Sequence, residues 1–227
     1  FAEVSIPIVN KSFFEELTLS GGYRFSDYQV AEHGFQTDTY KLAVEFAPVK
    51  DIRARASYNR SVRAPNVAEL FSAQSVGLTG TEDPCAGAAP SATRAQCALT
   101  GVSATQYGRI VANPADQYNG FIGGNPNVNP ETADSYTAGL VLQPRFIPGL
   151  AVTVDYFNIK VKDLIGTIGF DTIVSQCVAT GDPFFCSRIN RDQFGSLFLT
   201  PNGFVTDLTT NLGGLKKGVV VNIESTV

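Results

Sequence analysis

Apolar and polar residues alternate one by one along this chain, and that period of two limits its fold more than any other feature. In 13–25, Leu17, Leu19, Gly21, Tyr23 and Phe25 fall on one side and Glu16, Thr18, Ser20, Gly22 and Arg24 on the other. A period of two places residues on opposite faces of a strand. Tyr40, Leu42, Val44 and Phe46 oppose Lys41, Ala43 and Glu45; Ile52, Ala54, Ala56 and Tyr58 oppose Arg53, Arg55, Ser57 and Asn59. The pattern returns at 135–142, at 150–156, at 219–224 (Val219, Val221 and Ile223) and at Val4, Ile6 and Ile8. About seven strands are expected, and helical spacing is almost absent.

The connections alternate too. Those at 10–12, 48–51 and 144–149 are short, whereas 27–38, 63–130 and 162–214 are long. Loops beyond about 15 residues are uncommon in compact domains, but a membrane barrel has short turns at one rim and long loops at the other. The apolar face then meets lipid, and the polar face, with Glu16, Arg24, Lys41, Glu45, Arg53, Arg55 and Asp155, lines the lumen. Twelve residues at ~3.3 Å, tilted ~45°, climb roughly 28 Å, close to the ~25 Å apolar band of such a barrel. Tyr23, Phe25, Tyr28, Tyr40, Tyr58, Tyr136 and Tyr156 are expected at one rim and Phe13, Phe14 and Phe46 at the other, because aromatic rings favour the headgroup boundary. No apolar run approaches the ~20 residues of a membrane helix. A net charge of −4 argues against a nucleic-acid platform, and 16 Phe with 8 Tyr against disorder.

Three motifs in order resemble TonB-dependent outer-membrane receptors. They are Arg60-Ser-Val-Arg63-Ala-Pro65-Asn66-Val-Ala-Glu69-Leu70-Phe71, then Gly124-Asn125-Pro126-Asn-Val-Asn-Pro130-Glu131 running on to Gly139, then Gly149-Leu-Ala-Val-Thr-Val-Asp155-Tyr156-Phe157-Asn-Ile. With weaker matches near Glu3 and Tyr23, the resemblance spans nearly the whole chain. It implies an all-β, antiparallel transmembrane barrel, here about seven up-and-down strands with long extracellular loops, in the bacterial outer membrane. It also implies active uptake of a small nutrient, with outer-membrane lipid around the wall and TonB acting through a plug domain. The family barrel has 22 strands and a plugged lumen. No plug sequence, TonB box or terminal aromatic strand is recognisable here, so residues 1–227 are expected to be part of the barrel domain of a larger receptor.

Residue chemistry gives the motifs a structural reading. Pro65 has no amide hydrogen to continue a ladder and ends its strand. Asn66 and Glu69 have capping-box spacing, with Leu70 and Phe71 packing the turn. Asn125 and Asn129, each before a proline, are held extended and aim the chain into the next strand. Four cysteines allow three connectivities; proximity favours Cys85 with Cys97 and Cys177 with Cys186. Disulfides would fit an oxidising compartment. The one histidine, His33, is expected in a polar loop, with no nucleophile motif and no zinc-type cysteine spacing, so neither an enzyme nor a metal or other cofactor is expected.

Candidate ligand contacts are the loop aromatics Tyr107, Tyr118, Phe121, Phe184 and Phe185, whose rings suit sugar faces and apolar ligands alike. The loops hold no His, Tyr and carboxylate cluster for iron, which favours a saccharide or peptide over a ferric siderophore. A passive porin or adhesion barrel and a soluble secreted β protein are the rival classes.

Overall fold

The structure is a computed structural model that describes residues 1–30 and 32–225, with side chains described through residue 213. In chain order its elements are β1 (Ala2–Asn10), β2 (Glu16–Val30), β3 (His33–Val49), β4 (Ile52–Arg63), α1 (Val67–Phe71), β5 (Ser75–Thr79), α2 (Arg94–Leu99) and β6 (Tyr118–Ile122). They continue with β7 (Glu131–Leu142), β8 (Leu150–Gly166), α3 (Phe170–Thr180), α4 (Pro183–Cys186), β9 (Ile189–Asn190), β10 (Phe204–Thr206) and β11 (Thr210–Ser225). No described helix is long and apolar enough to cross a membrane.

The chain forms two compact units. The first contains Phe1–Pro65, Asn129–Leu164 and the stretch from Asn211. It is a seven-stranded sheet in the order β1-β2-β3-β4-β7-β8-β11, matching the seven expected strands. The face of β11 carrying Val219, Val221 and Ile223 lies outside the described side chains. Register sorts the remaining residues into rows. On one face run Ile6-Leu19-Val44-Ala56-Ala138-Tyr156 and Val4-Gly21-Leu42-Tyr58-Tyr136-Asn158. The next row is Ala2-Tyr23-Tyr40-Arg60-Asp134-Lys160. Aliphatic residues thus give way to aromatic rings and then to charge along one face. Tyr58 stacks between Tyr40 and Tyr136 at 5.9 and 4.7 Å between centroids, and Phe14 meets Phe46 edge-on at 5.0 Å near the opposite rim.

The other face carries ion pairs: Lys41 with Glu3, Arg53 with Glu16 at 3.4 Å, Arg55 with Asp155 at 2.8 Å and Arg63 with Glu131 at 2.7 Å. Gly139 lies between Arg55 and Asp155 in the register. A Cβ there would stand 2.1 Å from the Asp155 carboxylate and 2.8 Å from Arg55 Nε. Glycine therefore leaves the bridge room to cross β7.

Among the described residues of this unit, nothing covers the apolar face. Leu42 is 63% exposed and Leu19 42%, and Ala47 is the one buried apolar residue among its described positions. A soluble sandwich buries such a face under a second sheet. A lipid-facing barrel wall leaves it open.

Some expectations are corrected. The loop foreseen at 27–38 is instead a strand pair, with β2 and β3 paired up to Val30 opposite His33. Polar residues such as Ser26, Gln36 and Asp38 continue the ladder because the strands run past the apolar stretch, where backbone pairing still satisfies their amides. His33 therefore opens a strand. Tyr28, foreseen among the rim tyrosines, has the parity of Arg24 and lies on the polar face.

The second unit, Asn66–Val128 with Ile165–Thr210, draws together the two longest insertions. It contains a four-stranded sheet in the order β5-β6-β10-β9, with β6 and β10 parallel, and four helices. The chain is thus richer in helix than its alternation suggests. In α3, Ile173, Val174 and Cys177 share a buried side and Gly181 closes the helix with φ 69°.

Candidate ligand-gathering unit

The motif residues build the joints where the chain leaves and re-enters the sheet. β4 ends at Arg63, two residues before Pro65. Asn66 then caps α1: its side chain accepts from the Glu69 amide at 2.9 Å, while Glu69 accepts from the Asn66 amide at 2.8 Å. Leu70 is buried at 1% exposure, and Phe71 is 43% exposed. The second motif closes on the first. The Gly124 amide donates to the Ser72 carbonyl and the Asn125 amide to the Glu69 carbonyl. A Cβ on Gly124 would lie 2.6 Å from the Ser72 nitrogen, so the close approach requires glycine. The Asn125 side chain donates to Thr209 O at 2.9 Å, which ties in the second insertion. In the sheet, Arg63 grips both Glu131 oxygens, at 2.7 and 2.8 Å. Arg60 has the opposite parity and lies over the Tyr40 ring. Pro126 and Asn127 form a turn in which the Asn127 amide donates to the Asn125 side chain, so the return is not extended throughout as foreseen; Pro130 immediately precedes β7, which begins at Glu131.

Two hydrophobic clusters fill the insertion unit. One gathers Tyr118, Ile173, Val174, Cys177, Ile189, Leu197 and Val205; the other gathers Cys85, Ala86, Ala92, Cys97, Val102 and Ile110. Both cysteine pairs are bonded as proximity suggested, with Cα separations of 5.6 Å for Cys85–Cys97 and 4.9 Å for Cys177–Cys186. A buried ion pair, invisible to local sequence reasoning, joins the two insertions. Arg191 contacts Asp83 at 2.6 and 3.0 Å and also donates to Thr100 Oγ1 and Gly195 O. The side chains are only 3% and 8% exposed. These 108 residues of separation explain why no motif pattern announced the pair.

The five candidate aromatics do not form one patch. Tyr107 packs against the second cluster and donates to Ala92 O at 3.0 Å. Tyr118 is 1% exposed and donates to Asp171 at 2.7 Å. Burial, then the hydrogen bond to Asp171, drives the Tyr118 phenol well above its ordinary pKa. Burial pushes the Asp171 carboxyl up, but hydrogen bonds from Tyr118 and from the backbone and hydroxyl of Thr81 outweigh it and leave it lowered. Phe121 pairs with Phe204 at 5.5 Å, and Phe185 packs against the first cluster. Phe184 is 41% exposed, edge-on to Phe185, with the Arg188 guanidinium 4.1 Å above its ring. Val111, Phe194 and Leu199 are also exposed, at 54%, 55% and 43%; position alone brings them to the surface, and no motif marks them.

Residues 1–214 match the family described as TonB dependent receptor-like, beta-barrel. Among curated proteins, none matches the chain significantly. Of solved structures, the siderophore receptor PirA from Pseudomonas aeruginosa is similar at 15% identity and a TM-score of 0.52, over 91% of this chain and 28% of that one. A mutant of the ferric enterobactin receptor PfeA from the same organism is similar at 14% identity and a TM-score of 0.51, over 89% and 21%. The chain thus spans about a quarter of the length of these structures, and at such identities the likeness concerns the fold. With the family match covering both the sheet and the insertions, this chain belongs to the TonB-dependent receptors of the Gram-negative outer membrane and forms a seven-stranded part of their β-barrel.

Proposed function

We propose that this chain supplies wall and ligand entrance to an active importer, with 66–128 and 165–210 outside the cell gathering a small nutrient. The observation that carries the reading is the insertion unit itself. Two stretches far apart in sequence share a core and a buried ion pair, and each carries a disulfide of its own, which is far more order than a loop needs merely to connect strands. Both leave the sheet from the end where β2 turns into β3, as alternation along antiparallel strands requires. Phe184 and its neighbour Arg188 offer an exposed ring and a cation, and we assign ligand contact first to them among the candidate residues. Tyr107, Tyr118, Phe121 and Phe185 shape the unit from behind.

The expected lean towards a saccharide or peptide finds no support. The similar structures carry the names of siderophore and ferric enterobactin receptors, and the cargo to be tried first is a ferric siderophore. TonB would act through a plug domain of the whole receptor, and no catalytic step is needed.

Uptake of radiolabelled ferric siderophores, saccharides and peptides by cells carrying the whole receptor tests the reading, with and without the proton gradient. Gradient-dependent uptake is expected, and surface labelling of an Ala104→Cys variant from outside the cell. Gradient-independent uptake would replace the importer with a porin. Labelling from the periplasm alone would invert the topology.

A further inference from the structure

The apolar face of the sheet ends in cations. Arg60, Lys160 and Lys162 share the parity of Val152, Val154 and Tyr156 and lie past the tyrosine row. Two of them have partners: Arg60 stands over Tyr40, and Lys162 lies 4.0 Å from Asp134, which also accepts the Tyr58 hydroxyl at 2.9 Å. Lys160 is exposed and has no ion-pair partner among the described residues. Lys160 and Lys162 both line a cleft of about 580 Å³ between β8 and the start of β11, with Asp163 next to them on β8 and Asn211 and Gly213 across from them on β11.

Hydrogen bonds hold that cleft in shape. The Asn211 side chain donates to Asn129 O at 3.0 Å and Asp163 O at 2.7 Å, and accepts from the Asn129 amide at 2.8 Å. Asp163 itself takes φ 56°, so the strand kinks there. The lining holds two lysines and one carboxylate, Asp163; Asp134 stands beside Lys162, and Lys160 is the lysine left without an ion-pair partner among the described residues.

We propose that this cleft binds the phosphate of an anionic membrane lipid. Lys160 and Lys162 hold the phosphate oxygens, and the acyl chains run down the uncovered rows through Tyr156, Ala138 and Val154. Three observations favour a lipid over a soluble partner. The cations lie on the face that meets hydrocarbon, at its water boundary. Apolar rows continue directly from them along the same strands. Aromatic rings mark the boundary at that depth. Lysines near a membrane surface each favour an anionic headgroup by about fivefold. The assignment to the outer leaflet rests on the topology proposed above.

The test uses the full-length receptor in detergent, with native mass spectrometry of bound lipid A and of the same lipid stripped of phosphate. The intact protein should prefer the phosphorylated form by about 25-fold, as two lysines at about fivefold each imply. The K160Q/K162Q variant should lose most of that preference, and Lys41→Gln, on the polar face, should keep it. Heat-dependent gel mobility shows that each variant is folded. Equal binding of both lipids, or an unchanged preference in K160Q/K162Q, overturns the proposal. So does lysine-dependent binding of inorganic phosphate with no lipid preference, which makes the cleft a free-anion site. Uptake separates this inference from the transport reading. Loss of gradient dependence in the intact receptor removes the importer, whereas loss of lipid preference with uptake intact removes only the lipid site.

Discussion

Replacing Leu19 by arginine tests the assignment of faces with one residue of resolution. Leu19 lies between Ile6 and Val44 in an aliphatic row, four positions along β2 from Tyr23 in the tyrosine-bearing row. At ~3.3 Å per residue and a tilt of roughly 40°, that is about 10 Å below the headgroup boundary. The apolar band is ~25 Å tall, so Leu19 falls near its middle. A guanidinium there should cost about 2–4 kcal/mol, or roughly 30- to 700-fold in the folding equilibrium at 1.4 kcal/mol per tenfold. Ser20, the next residue, points to the polar face and hydrogen-bonds Ser5 at 3.1 Å. Ser20→Arg forfeits that exposed bond and meets water, so its cost should stay near 1 kcal/mol. Denaturant titration of the full-length receptor folded into phosphocholine bilayers, read by heat-dependent gel mobility, measures both. Equal costs, or a larger one at Ser20, would refute the assignment of faces.

Four further outcomes follow from the geometry. Gly139→Ala should push the Asp155 carboxylate off Arg55; the pair is exposed, so destabilisation should stay below about 1 kcal/mol, and a crystal structure should show the bridge parted. Asn66→Ala should cost about 1 kcal/mol and show as faster amide exchange at Glu69, since the capping bond is gone. Arg191→Met leaves Asp83 buried without its partner and should destabilise the insertion unit by about 3–5 kcal/mol, seen as new protease cuts in 66–128 while gel mobility of the barrel is unchanged. Because the Asp171 carboxyl is lowered in the folded state, its contribution is present above the ordinary carboxylate pKa and is lost as pH falls through the folded value; Asp171→Asn should flatten the acid limb of a stability profile, and an unchanged limb would rule the contribution out.

The sheet was legible because lipid and lumen impose opposite demands on neighbouring residues, so each strand writes its orientation into its own composition. Seven segments of alternation became seven paired strands. The boundaries were less legible. Past the hydrocarbon, both faces meet water, and β2 and β3 continue through Ser26, Asp27 and Gln36 with no apolar beat to mark them. The capping box at Asn66 and Glu69 was legible because both partners are local. The insertion unit was not. Its core joins Tyr118 to Ile173 and Val205, and Asp83 to Arg191, across separations that no periodicity spans. The helical spacing of Ile173, Val174, Cys177 and Val178 was present but short, and outweighed by alternation elsewhere. The candidate ligand contacts were least legible, since an aromatic residue in a loop reads the same whether it builds a core, as Tyr118 does, or stands exposed, as Phe184 does.

The two units are stabilised by different solvents, and this bears on how the receptor tolerates change. The sheet buries almost no apolar surface of its own. Its apolar rows depend on lipid, and its ion pairs, partly exposed, each contribute little. The insertions cannot draw on lipid. They must carry a core suited to water, and with so few residues that core is small. Two disulfides then supply what burial does not, each closing a loop whose constraint contributes on the order of 2–3 kcal/mol. Cys85, Cys97 and Cys177 are fully buried within the two clusters, so each sulfur is packing and cross-link at once. The joints at Asn66 and Asn125 tie down their own amides, which donate to the Glu69 carboxylate and the Glu69 carbonyl. Surface positions in the insertions, such as Phe184 and Phe194, belong to neither core and can vary without loss of burial.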